Sequence, residues 1–157
     1  MAGYEDVSPD FIGEDMEELL LCEPDEERRV KIQQVLDRER YHVVTPRDEK
    51  EAVEHLLFQE CAVVLAGERF GGRLPGEGPL ADHLRRLSSE ARRNLFVALL
   101  SETQVTADVM AAFRQSVNLV FNYEDLERLP AILRKSRQET GEGYGPFRES
   151  LRRAGRL

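Results

Sequence analysis

Five polar residues stand just past short apolar runs, where a sheet protein gathers reactive groups. Glu23 and Asp25 follow Leu19–Cys22, Glu68 follows Ala62–Leu65 by way of Ala66 and Gly67, Ser101 follows Leu95–Leu100, and Asn122 follows Asn118–Phe121. Carboxylates brought to one edge can hold a hard cation, and a hydroxyl or acid there can carry a transferred group. The same residues also have structural uses. Glu23 and Asp25 suit a helix N-terminus, where acids complement the macrodipole, and Ser101 suits the turn after a strand. The glycines Gly67, Gly71 and Gly72, followed by Arg73 and Leu74, faintly echo a phosphate cradle. Arg73 stands where its lysine belongs, however, and Leu74 cannot ligate Mg²⁺. His42, His55 and His83 are scattered and form no triad order with Ser101. Cys22 and Cys61 lack zinc spacing and read as buried, reduced thiols.

Apolar runs alternating with helical patterns must position those residues, and that rhythm predicts a doubly wound parallel α/β sheet of five strands with helices on both faces. Strands are expected at Leu19–Cys22, Tyr41–Val44, Ala62–Leu65, Leu95–Leu100 and Asn118–Phe121. Between them, Ile32, Val35 and Leu36 mark one helix by their spacing. Thr45, Pro46 and Asp48 open a second, which buries Val53, Leu56 and Leu57. Residues 67–79 hold too many glycines and prolines for a regular element. A helix carrying Leu80, Leu84 and Leu87 follows, then one capped by Thr106 that buries Val109, Met110 and Phe113. The last pattern is Leu126, Leu129 and Leu133, with Pro130 tolerable only near a first turn. Gly141, Gly143 and Gly145 are expected to break the chain before a short helix presenting Phe147 and Leu151.

From about residue 18 to residue 138 the chain resembles the receiver domain of two-component response regulators. The phrase LLLCEPDEERR (Leu19–Arg29) is similar to the receiver opening, Tyr41–Thr45 with Glu51, Ala52 and Val53 to its second strand and helix, and Ala62–Leu65 to the strand that ends in the phosphoacceptor. The resemblance implies the strand order 2-1-3-4-5 and a pocket of acids, an aspartate nucleophile, a hydroxyl and a lysine. It places Ala66 at the aspartate and Asn122 at the lysine. A methyl group cannot attack a phosphoryl donor, and an amide supplies no fixed positive charge to stabilise one. Ser101 matches the hydroxyl and Glu23 one acid; Pro24 interrupts the usual acidic pair, with Asp25 next. Leu119 takes the position of the family's switch aromatic. Glu68, longer by a methylene and displaced in sequence, is a poor substitute nucleophile.

The resemblance therefore implies a bacterial pseudo-receiver, a non-enzymatic module that needs no cofactor and docks an unidentified signalling protein. By analogy its docking face is drawn from residues 106–138, including Arg114, Gln115, Tyr123, Glu127, Arg128 and Lys135. Rival readings are residual metal, phosphoryl or small-ligand binding in a degenerate pocket lined by Glu23, Asp25, Ala66, Glu68, Ser101 and Asn122, or a targeting or structural piece of a longer protein. Residues 1–17 form an acidic lead or linker, 18–138 the domain, and 139–157 an extension that supports a homodimer or caps the core. Composition narrows the field further. A net charge of −8 argues against nucleic acid, no apolar run approaches the roughly 20 residues of a membrane span, and a cytoplasmic location is expected.

Overall fold

A computed structural model describes residues 16–72 and 76–153, with side chains through residue 141. Residues 1–15 of the acidic lead and Arg73, Leu74 and Pro75 lie outside the described residues, and Glu17, expected in the lead, already belongs to the first strand. Five strands, β1 (Glu17–Cys22), β2 (Tyr41–Val44), β3 (Val63–Gly67), β4 (Phe96–Ser101) and β5 (Leu119–Asn122), form one sheet in the order β2-β1-β3-β4-β5. Every pairing is parallel. The expected strands are all present, each within two residues of its sequence-derived ends. Helices α1 (Glu26–Val35), α2 (Glu49–Phe58), α3 (Pro79–Arg85), α4 (Ser89–Arg93), α5 (Val109–Gln115) and α6 (Leu129–Arg153) connect and cover them.

Alternation along each strand divides the core between the two faces of the sheet. Leu19, Leu21, Val63, Leu65, Leu100 and Phe121 pack with Ile32 and Leu36 around α1 and with Leu129 and Leu133 of α6. Leu20, Cys22, Val64 and Val97 point the other way, toward Ala52 of α2, Phe70 and Leu80 of α3. Both faces are covered, so the strands read as continuous apolar runs rather than alternating ones. Among the described residues, no helix is long and apolar enough to cross a membrane.

Helix starts differ from the sequence reading. The cap of α2 is Asp48, which accepts from the Glu51 N–H at 2.9 Å; Thr45 and Pro46 precede it. Val53 and Leu56 pack against the core as expected, but Leu57 is exposed. The helix expected to carry Leu80, Leu84 and Leu87 ends at Arg85, and a further short helix follows, with Ser88 capping it at the Ala91 N–H.

The largest difference is at α5. Ala107 adopts a left-handed φ of 66° and gives its N–H to the Val120 carbonyl at 2.8 Å, so the helix begins only after it. Asp108 is the cap, accepting from Ala111 N–H, and Thr106 instead receives the Asn122 N–H. That start turns Ala111 and Ala112 to the sheet and leaves Val109, Met110 and Phe113 at 78%, 61% and 78% exposure, which corrects their expected burial.

The end of the chain also departs from expectation: α6 is one helix from Leu129 to Arg153, passing through Gly141, Gly143 and Gly145 without the expected break. The side chains of Phe147 and Leu151 lie outside the described ones.

The outward face of α5 can be checked by unfolding in urea. Phe121→Ala should cost about 3–5 kcal/mol, the loss of a buried aromatic, whereas Phe113→Ala should stay within about 0.5 kcal/mol, as an exposed substitution does. Comparable losses at both positions would return Phe113 to the core.

Candidate functional site

In a parallel sheet all strands end at one edge, and β1, β3, β4 and β5 bring Glu23, Glu68, Ser101 and Asn122 together there. The β3–β4 register pairs Gly67 with Leu100, so Glu68 and Ser101 leave the sheet side by side. Their side chains meet. Ser101, with no exposed surface, donates its hydroxyl to Glu68 Oε1 at 3.1 Å, and the Glu102 N–H donates to Glu68 Oε2 at 2.6 Å. Ser101 Oγ in turn accepts from the Thr103 and Gln104 N–H groups at 3.1 and 3.0 Å. The turn after β4 is thus built around a hydroxyl, and a carboxylate from the neighbouring strand closes it.

Glu23 is 2% exposed and has both oxygens engaged. Oε1 accepts the Tyr123 hydroxyl at 2.5 Å and Oε2 the Asp25 N–H at 3.1 Å. Burial raises the Glu23 carboxyl above its ordinary range, while the Tyr123 and Asp25 hydrogen bonds and Arg28 oppose that rise. Burial and the bond to Glu23 push the Tyr123 phenol well above its usual range. The Arg28 guanidinium lies 3.8 Å from the Tyr123 ring centroid, a cation–π contact. It also pairs with Glu102 at 2.9 Å, as Arg69 does from the β3–α3 connection. Gly67 passes so close that a Cβ there would lie 2.6 Å from Glu23 Oε1 and 2.8 Å from the Tyr123 hydroxyl, so any larger residue would have to displace that contact.

The remaining expected residues are also engaged locally. Asp25 caps α1, accepting from Arg28 N–H at 2.9 Å. Asn122 donates to the Gln104 carbonyl at 2.8 Å and accepts from Glu124 N–H at 2.8 Å. Ala66 packs its methyl against the Leu20 cluster on the α2–α3 side. Leu119 lies in the core on the opposite face. These residues are a poor fit to Mg²⁺: both Glu23 oxygens and the Asp25 cap oxygen already accept protein N–H or O–H groups, and the Ala66 side chain offers no donor atom. Among the described residues, no group of three or more His, Cys, Asp or Glu side chains is placed to hold a metal. Cys22 is buried and Cys61 only half-buried; burial pushes both thiols up, Cys61 to about 11.

No protein-family model and no curated protein sequence matches the chain. Solved structures do. The signal receiver domain of an HD domain-containing protein from Pseudomonas fluorescens Pf-5 is 21% identical, with a TM-score of 0.59 over 81% of this chain and 98% of that one. The Mn(2+)-bound form of response regulator Rcp1 is 17% identical, with a TM-score of 0.53 over 72% and 91%. An orphan response regulator of H. pylori is 13% identical, with a TM-score of 0.58 over 78% and 97%.

The chain has the receiver fold.

Within that fold, the residues expected on a docking face separate. Arg114, Arg128 and Lys135 are exposed and Gln115 is half-buried. Glu127 is paired with Lys31 of α1. Tyr123 instead turns into the pocket. Sequence reasoning missed Arg28, Arg69, Glu102 and the inward role of Tyr123. Only the spacing of Asp25 and Arg28 at a helix start hinted at any of them, because Tyr123 and Glu23 are 100 residues apart in sequence.

The raised Glu23 carboxyl has a pH signature. A group whose folded pKa exceeds its unfolded value contributes stability below the unfolded pKa, here near 4.5, and that contribution is lost as pH rises through the folded pKa. Glu23→Gln cannot ionise and still accepts the Tyr123 hydroxyl. Its stability relative to the parent protein should therefore rise between about pH 4 and pH 7, read by urea unfolding across that span. A relative stability that falls would mean the buried carboxylate is net stabilised.

Proposed function

We propose that this chain is a phosphorylation-independent pseudo-receiver of bacterial signalling, which works by docking another protein rather than by accepting a phosphoryl group. One observation carries the reading: the pocket at the strand ends is satisfied from within. The Glu68 carboxylate sits on the Ser101 hydroxyl and the Glu102 N–H, donors of the kind that would otherwise stabilise a transferred anion. Ala66 provides no nucleophile, and Asn122, in place of a lysine, is held by Gln104 and Glu124. The rival reading, residual metal or phosphoryl chemistry, needs oxygens that Glu23, Asp25 and Glu68 already give to protein donors.

For docking, the support is the exposed surface of α5 and its neighbours. Val109, Met110 and Phe113 of α5 are exposed apolar residues next to Arg114, Val105 is exposed just before the helix, and Arg128 and Lys135 are exposed further along the chain. Apolar anchors rimmed by arginine match the composition of protein-recognition surfaces. A photo-crosslinking residue at position 113, tested in the cells that make the protein, should give a discrete protein adduct that Val109→Asp abolishes. The same residue at exposed position 58 should give none. Equal adducts at 58 and 113 would remove the assignment of this face.

Restoring the nucleophile tests the pocket. Ala66→Asp incubated with acetyl phosphate and Mg²⁺ should gain no phosphoryl mass beside a labelled authentic receiver, because Glu68 still occupies the anion donors and no lysine is present. Adding Glu68→Ala and Asn122→Lys to Ala66→Asp should permit labelling. Efficient labelling of the single Ala66→Asp variant would contradict this account of the pocket.

A further inference from the structure

Packing on the α3–α5 side of the sheet leaves a space that the described side chains do not fill. Helix α4 contributes no buried side chain, and the buried residues of α5 are Ala111 and Ala112. Its larger apolar residues, Val109, Met110 and Phe113, point to solvent. The result is a cavity of about 650 Å³. It is a cleft half-open to solvent, and small-molecule sites typically run from about 300 to 1,000 Å³. Val97 and Leu99 of β4 contribute to one wall, with Phe70, Leu80, Leu84 and Leu87 on the side of α3.

Among the described residues, one half-buried cation on this lining, Arg92, has no carboxylate paired with it. Arg92 donates to the Leu95 carbonyl at 2.7 Å, to Asn118 Oδ1 at 2.9 Å and to the Ser116 carbonyl at 3.2 Å, all neutral acceptors. Those bonds fix the guanidinium against the α5–β5 turn and leave part of its five-donor fork unused. Among the described residues no carboxylate pairs with it, and its half-burial lowers its pKa, which a neighbouring anion would have raised. The other charged groups on the lining are differently placed. Glu68 holds Ser101, Glu49 receives the Leu80 N–H, and Arg85 pairs with Asp82; Glu77 and Arg93 are exposed.

We propose that this cavity binds a small amphiphilic carboxylate, its apolar body seated against the leucines of α3 and β4 and its anionic end on Arg92. The apolar lining favours a hydrocarbon or aromatic body, and a half-buried guanidinium without a paired carboxylate favours an anion that it can bind through charge-assisted hydrogen bonds. The cavity borders the strand-end pocket at Ala66, Gly67 and Glu68, but its anion-binding end is at Arg92, so its failure would leave the pseudo-receiver reading standing.

The test is displacement of 8-anilino-1-naphthalenesulfonate from the full chain by dodecanoate and by dodecanol, both below their micellar or solubility limits. Dodecanoate should bind one to one and about tenfold more tightly than the alcohol, with the advantage shrinking as salt is added. Arg92→Lys should keep part of that preference and Arg92→Gln should abolish it, while Leu84→Phe, which narrows the cavity, should weaken both ligands. Paired Val109→Ser and Phe113→Ser substitutions on the outer face should leave binding unchanged. Equal affinity for acid and alcohol would overturn the anion assignment. No saturable binding, binding indifferent to Leu84→Phe, or binding lost on the Val109 and Phe113 substitutions would overturn the site. Should Arg92→Gln fail to fold, the acid-to-alcohol ratio of the unaltered protein and its salt dependence decide the matter.

Discussion

Polar side chains carried to the end of a buried parallel sheet must find partners, because an unsatisfied buried group costs on the order of 1–3 kcal/mol, more if charged. In this chain the partners come from the chain itself. Ser101 is fully buried and Glu23 nearly so; Glu68 answers the first and Tyr123 the second. Gly67 keeps the space in which Glu23 and Tyr123 meet. The bonds cross between strands and reach the segment after β5, so the strand-end edge is held together by the groups that could otherwise do chemistry there. A buried network of this kind stabilises only when every member is satisfied, which is why the absence of an aspartate at Ala66 and of a lysine at Asn122 is consistent with an ordered edge.

That closure extends to the surface. Ser101 Oγ organises Thr103 and Gln104, Asn122 holds the Gln104 carbonyl, and Thr106 takes the Asn122 N–H while donating to Asp125. The segment from β4 to α5 is therefore tied to β5 before it turns through Ala107. Left-handed φ is costly for a residue with a Cβ, and the Ala107 N–H bond to Val120 helps to offset it. The outcome is a short α5 with alanines inward and a valine, a methionine and a phenylalanine outward. One geometric decision accounts both for the exposed apolar residues and for the space beneath them.

The strands were legible in the sequence because both faces of the sheet are covered, which demands unbroken runs such as LLLC and FVALL. The receiver order followed from resemblance and is present in the sheet. Misreadings cluster where local pattern and tertiary constraint diverge. Val109, Met110 and Phe113 have helical spacing and look like a core face, yet the turn at Ala107 sets the phase of the helix, and no residue type announces a left-handed alanine. Thr106 looked like a cap because it is a hydroxyl before a helix, but the Asn122 N–H claims it. Tyr123 belongs to the pocket through a contact that spans the domain. Glu23, Glu68, Ser101 and Asn122 were identifiable as neighbours from their places after strands, but which donors each would take depends on side-chain directions that sequence does not display. The glycines of the tail predicted a break that the backbone of α6 does not show.

The closed edge is tested most directly at the Glu102, Thr103 and Gln104 amides, followed by ¹⁵N–¹H NMR as beryllofluoride and Mg²⁺ are added, with an authentic receiver alongside. In the receiver control these ions should shift the corresponding amides. In this chain the Glu102, Thr103 and Gln104 resonances should stay in place, because Glu68 and Ser101 already hold those N–H groups. Saturable shifts there would show that the pocket still takes an anion and would contradict a pocket satisfied from within.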